Sequence, residues 1–170
     1  MSKYIANILG KLKEVLPIIQ SAGAADANKM IQTDAAGRLD MSLMPVGIGA
    51  EVTVCPASEN LVAGEMINLW NDAGTLKARK ADASTNAKPA DGFVVANVVT
   101  GQNATVYGIS NKNTGKAGLT IGAEYYLSAA TPGGIVDTAP SAAGNIVQSI
   151  GKAESATEIV FSNRNYFELV

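Results

Sequence analysis

The chain has 170 residues, 47% of them apolar and only 16% charged, with a net charge of −2 and a mean hydropathy of +0.14. This excludes a disordered chain, which combines low hydrophobicity with high net charge, and supplies no overall attraction to nucleic acid or to an anionic membrane. Histidine is absent and Cys55 is the single cysteine, which removes the usual general base, the Ser-His-Asp arrangement, an internal disulfide and the common zinc and iron–sulfur ligand sets.

In chain order, residues 2–20 read as a short amphipathic helix. Ile5, Ile8, Leu12, Val15 and Ile19 recur at three- and four-residue spacing, which makes one apolar stripe. Gly10 weakens that helix by about 1 kcal/mol relative to alanine, and Pro17 ends or kinks it near Leu16. A helix of so few turns does not hold together alone in water. Its stripe needs a surface, either its own domain or a partner subunit or symmetry copy. Ile18 and Ile19 precede a run of small residues, but Lys11, Lys13 and Glu14 interrupt any apolar stretch, so no signal peptide is expected. No run reaches the roughly 18 apolar residues of a membrane span.

Residues 21–50 carry little regular patterning. Thr33–Arg38 is a turn signature, in which Asp34 can bond the local backbone and Gly37 can take a positive φ. Met41 to Gly49 is apolar, proline-broken and glycine-rich, neither a good helix nor a good strand. It reads as an extended arm in another subunit's groove or as a linker packed on its own domain. Met41, Leu43, Met44 and Ile48 would give it a soft, adaptable contact surface.

From Glu51 the pattern changes to short strands: Glu51–Cys55, Met66–Trp70, Leu76–Ala81, Gly92–Val99, Ala104–Ser110, Glu124–Ala129, Gly134–Asp137, Ile146–Glu154 and Glu158–Ser162. Asn71–Gly74 and Thr131–Gly134 read as hairpin turns. The fold expected is mainly β, a compact antiparallel barrel or sandwich over residues 51–170, preceded by the short helix and extended arm of residues 1–50.

Little in the chain carries chemistry. Its 15 acidic residues are scattered through turn-like positions such as Asp34, Asp72, Asp82 and Asp91, and aromatics are only 5% of the chain. A paired-carboxylate cleft is therefore not expected. The glycines match no phosphate-binding loop, and no calcium-loop spacing is present. Lys77, Arg79 and Lys80 read as a solvated or edge-protecting strand rather than a nucleic-acid patch. Trp70, Tyr107, Tyr125 and Tyr126 read as packing residues rather than a ligand platform. Cys55 reads as a small buried hydrophobe. No enzyme activity, cofactor or metal is expected.

Asp34–Asp40 followed by Met44–Gly47 is similar to a segment near the N-terminus of tailed-phage structural proteins. Leu61–Glu65 with Ile67–Leu69, and Arg79–Asp82 with Ala90–Val95, resemble the β-domain of phage capsid decoration and head-fibre proteins. The blocks Gly122–Leu127, Pro132–Gly134, Gly144–Gln148, Ile150–Ala153 and Ala156–Ile159 resemble a module of the same proteins and of some tail-fibre or baseplate proteins. The resemblance spans about residues 30–162. It implies a virion protein made in the host bacterial cytoplasm, commonly a trimer on a symmetry axis of an icosahedral shell, with the major capsid protein as partner. It brings no catalytic residues. The first expectation is a decoration or cement protein on the capsid surface; the alternative is a tail-fibre, baseplate or head-fibre component that serves host attachment. The candidate partner or oligomer contacts are Ile5, Ile8, Leu12, Val15, Ile19, Met41, Leu43, Met44 and Ile48.

Overall fold

The computed structural model describes residues 3–8, 10–35, 37–44, 50–162 and 165–170, the side chains of residues 6–8 and 41 excepted. It divides into two units, Met1–Gly49 and Ala50–Val170.

In the first unit, the helix expected over residues 2–20 is instead an antiparallel hairpin of β1 (Tyr4–Ile8) and β2 (Lys11–Val15). Ile8 pairs with Lys11, so the chain reverses through two positions, and Gly10 takes φ +77° there. A two-residue hairpin loop demands a left-handed backbone, which glycine adopts at no steric cost. The glycine that would only weaken a helix is what turns the ribbon. The isoleucines and Val15 favour strands as well. Three- and four-residue spacing makes one stripe on a helix but two faces on a strand. Register places Ile5 opposite Glu14 on one face and Tyr4 opposite Val15 on the other.

The expected extended arm is, where described, folded back on itself. Ile18 and Ile31 form a parallel bridge, with Ile18 N–H donating to Met30 O at 2.9 Å and Gln32 N–H to Ile18 O at 2.9 Å. Single turns of 3₁₀-helix occupy Ala24–Asp26 and Met41–Leu43. Polar contacts between residues some twenty positions apart accompany the folding-back: Gln20 Nε2 donates to Asp40 Oδ2 at 3.1 Å, and Ser21 N–H to Ser42 Oγ at 2.8 Å. The turn at Asp34 forms as its residues suggest, with Arg38 N–H donating to Asp34 Oδ1 at 2.9 Å and Gly37 at φ +75°.

In the second unit short strands alternate with turns and irregular chain, and the strands pair antiparallel. β3 (Val52–Pro56), β4 (Met66–Asp72), β5 (Thr75–Lys80), β6 (Gly92–Phe93) and β7 (Asn103–Tyr107) form a five-stranded sheet in the order β3-β7-β6-β4-β5. The remaining strands make small sheets. β8 (Lys112–Asn113) pairs with a later strand, β13 (Ile159–Val160). β9 (Glu124–Leu127) lies between β10 (Ile135–Val136) and β12 (Ser149–Lys152). β11 (Ile146–Val147) pairs with β14 (Phe167–Glu168). The strand expected over Ile146–Glu154 is thus two, because its residues divide their pairing between β14 and β9.

The sheet does not close into a barrel. One parallel bridge, Ala57↔Ala78, brings the ends of the sheet together, and Ser58 N–H donates to Ala78 O at 2.8 Å, but no ladder joins β3 to β5. Pro56 ends β3 just before that bridge and has no N–H with which to extend it.

Two apolar cores flank the sheet. Met66 and Phe93 pack with Leu127, Ile146, Ile150, Ile159 and Phe161 in one, while Ile67 and Val94 pack with Leu61, Ala78 and Val106 in the other. Neighbouring strand residues point to opposite faces, and Met66 and Ile67 are both 0% exposed. β4 is therefore buried on both sides, which is why Met66-Ile67 reads as a continuous apolar step rather than an alternating one.

The two expected hairpin turns form. Ala73 and Gly74 take φ 50° and 90° between Asp72 and Thr75, and Gly74 N–H donates to Asn71 Oδ1 at 2.7 Å. Gly133 takes φ 76°, and Gly134 N–H donates to Thr131 O at 2.9 Å.

Candidate interaction surfaces

The candidate contact residues do not share one stripe. Ile5 on β1 and Leu12 on β2 are 75% and 76% exposed. Their pairing partners, Glu14 and Asn7, put them on the same face of the ribbon as diagonal neighbours. Val15 ends β2 on the opposite face and is half-buried. Ile8 belongs to β1 through its backbone, and its side chain lies outside the description. Ile19 follows the Ile18 bridge and is half-buried. Leu43 lines a cavity of about 280 Å³ with Ile18, Asp26, Lys29, Ile31 and Ser42. Met44 is partly exposed, the side chain of Met41 is outside the description, and Ile48 lies outside the described residues.

The charges of this unit are local. Lys3 Nζ lies 3.0 Å from Glu14 across the hairpin. Asp26 accepts from Lys29 Nζ at 2.5 Å and from Ala22 N–H, which holds its carboxyl below the usual range. The Ser42 hydroxyl and N–H, with Gln20, do the same for Asp40.

In the second unit the residues that could suggest chemistry serve packing. Tyr125 is buried in the core, and its hydroxyl accepts from Thr120 N–H at 2.9 Å. Tyr107 stacks on Phe93 with ring centroids 5.7 Å apart. The Arg79 guanidinium covers Trp70 at 4.7 Å, and its Nε donates to Asn68 Oδ1 at 2.8 Å. Lys77 pairs with Asp72 at 2.6 Å and Lys80 with Glu65 at 2.8 Å, so the basic cluster of edge strand β5 is engaged inside its own unit. Cys55 is buried, which pushes its thiol up and away from reactivity. Among the described residues no three of Cys, Asp and Glu converge as a cation site would need.

Two half-buried ionisable groups, Asp91 and Lys116, are shifted by their surroundings. Burial raises the Asp91 carboxyl even though Leu69 N–H donates to it at 2.7 Å and Asn68 Nδ2 at 3.1 Å. Burial lowers Lys116 to about 8, with Glu65 acting in the opposite direction. Neither shift carries a sequence signal, because it comes from segments distant in the chain that take part of each group's water.

Apolar side chains also reach solvent along β3, at Val52 and Val54, and at the chain end, at Phe167 and Val170. β14 is docked on its own unit: Leu169 N–H donates to Asn145 O at 2.8 Å, and Asn86 Nδ2 to Glu168 Oε2 at 2.7 Å.

Neither a protein-family model nor a curated protein matches the chain. Among solved structures, "The crystal structure of head fiber gp8.5 N base in bacteriophage phi29" is similar at 14% identity and a TM-score of 0.45, over 69% of this chain and 99% of that chain. A likeness that distant leaves function to be argued from the chain's own residues.

Proposed function

We propose that the chain is a non-catalytic structural protein of a tailed-phage virion, which binds the outside of the icosahedral shell and stabilises it. The observation behind this reading is how the blocks that resemble phage decoration proteins pack. Tyr125 and Leu127 from one block, Ile146 from another, then Ile150, Ala153 and Ile159 all enter a single core. The resemblance thus follows one packed unit, not scattered turns.

The mechanism is linkage. A protein that binds the assembled shell and not its separated subunits stabilises the shell by mass action, and a symmetric oligomer multiplies the effect through multivalent contact. The partner is the major capsid protein, and a trimer matches a local three-fold axis of the shell. With no histidine in the chain, binding rather than turnover is what these residues are suited to.

Quantitative mass spectrometry of purified particles, together with co-sedimentation of the full chain with shells prepared without it, tests the proposal. Expected are a copy number that scales with the number of capsid subunits and a higher shell disassembly temperature on binding. A copy number fixed at a few per particle, with no binding to bare shells, would place the protein in a fibre or baseplate instead.

A further inference from the structure

We infer that the β1–β2 hairpin is a docking ribbon for an acidic protein surface that has apolar ground between its carboxylates. The inference rests on the proposed function, in which that surface belongs to the shell. The described hairpin side chains from Lys3 to Glu14 are exposed, Tyr4, Lys11 and Lys13 on one face and Ile5, Leu12 and Glu14 on the other, so the described part of neither face sits in the core of its own unit. A two-stranded ribbon in that condition is marginal in water, and a partner that covers it supplies the missing burial.

The charges say what kind of partner. The ribbon holds Lys3, Lys11 and Lys13 against Glu14, a net +2 in a chain whose total is −2. The faces differ. On the first, Lys3 and Glu14 neutralise each other at 3.0 Å, beside Ile5 and Leu12. On the second, Lys11 and Lys13 stand opposite Ile8 and Ala6, with no carboxylate among the paired positions of that face. The first face suits apolar contact, since its one ion pair is internally satisfied. The second attracts carboxylates. Stacking the ribbon on other copies of itself would add +2 with each copy, so charge disfavours the hairpin as its own partner. Tyr4 is the ribbon's single aromatic residue, too little for base stacking.

The test uses the full chain and shells of the encoding phage prepared without it. Lys11→Glu with Lys13→Glu should weaken binding about tenfold or more at low ionic strength, and the difference should shrink near 0.5 M salt. Ile5→Ser with Leu12→Ser should weaken it at both salt concentrations, and neither variant should move the thermal unfolding of the second unit. If the unaltered chain fails to bind shells, the proposed function falls and this inference with it. If it binds and both variants bind equally well, the inference alone falls. If the variants change the oligomer's mass in sedimentation and leave shell binding intact, the ribbon's partner is a second copy and the inference is likewise overturned.

Discussion

Gly64 and Gly115 meet backbone to backbone. A Cβ on Gly64 would stand 2.3 Å from the Gly115 carbonyl oxygen, and one on Gly115 would stand 2.8 Å from the Gly64 Cα. The buried Asn113 ties the two loops together: its Nδ2 donates to Gly64 O at 3.0 Å and its Oδ1 accepts from Gly115 N–H at 3.0 Å. Because the obstacle is main chain, a methyl group cannot be absorbed by a rotamer change. Gly115→Ala should cost about 2–4 kcal/mol in urea unfolding. Gly118→Ala, at φ +69° with open space around it, should cost only about 1 kcal/mol. Equal losses for the two variants would sink this account.

Gln148 acts as a strand made of side chain. Its Oε1 accepts from Ala90 N–H at 2.7 Å and its Nε2 donates to Ala90 O at 2.8 Å, all of it buried. Gln148→Leu leaves both Ala90 groups without those partners, at a cost of about 2–4 kcal/mol. Gln148→Glu should be unstable at neutral pH and recover as the pH falls, since only the protonated acid can donate to Ala90 O. An acid-independent loss in that variant would contradict the arrangement.

Lys116 sets a pH dependence of definite sign. Its folded pKa of about 8 lies below the ordinary 10.5. Between those values the unfolded chain binds more protons, so stability attributable to Lys116 rises as the pH climbs through the window. Below it, the cost of holding a partly desolvated charge is present in full. Lys116→Met should therefore stabilise at pH 7, by on the order of 2 kcal/mol, and the gain should vanish by about pH 11. Parallel denaturation curves for the two proteins across that range provide the check.

Gly10 separates hairpin from helix. In a helix, Gly10→Ala would stabilise by about 1 kcal/mol. At φ +77° it should instead destabilise by a similar amount. Hydrogen exchange at the amides of β1 and β2 reads the sign: faster exchange in the variant supports the hairpin, and slower exchange refutes it.

The sequence alone determined what local chemistry controls. Asn71–Gly74 and Thr131–Gly134 turn because their glycines and polar side chains satisfy the backbone within four residues, and the Asp34 turn forms for the same reason. Short β-branched runs between such turns made a β-rich second unit legible, and an isolated cysteine among apolar neighbours was legible as buried. Ile5 and Leu12 were legible as members of one apolar stripe, but not as an exposed pair on one face of a ribbon with Lys11 and Lys13 on the other.

Tertiary structure decided the rest. A three- and four-residue spacing fits a helical stripe and a two-faced strand equally well, so the choice at residues 4–15 depended on the cross-strand pairing of Tyr4–Ile8 with Lys11–Val15, which spacing does not encode. The division of Ile146–Lys152 into two strands depended on distant partners, β14 and β9. The two-sided burial of Met66-Ile67, the contact of Gly64 with Gly115 and the desolvation of Lys116 all join residues far apart in the chain. Periodicity describes which residues can share a face, and only long-range packing determines what that face meets.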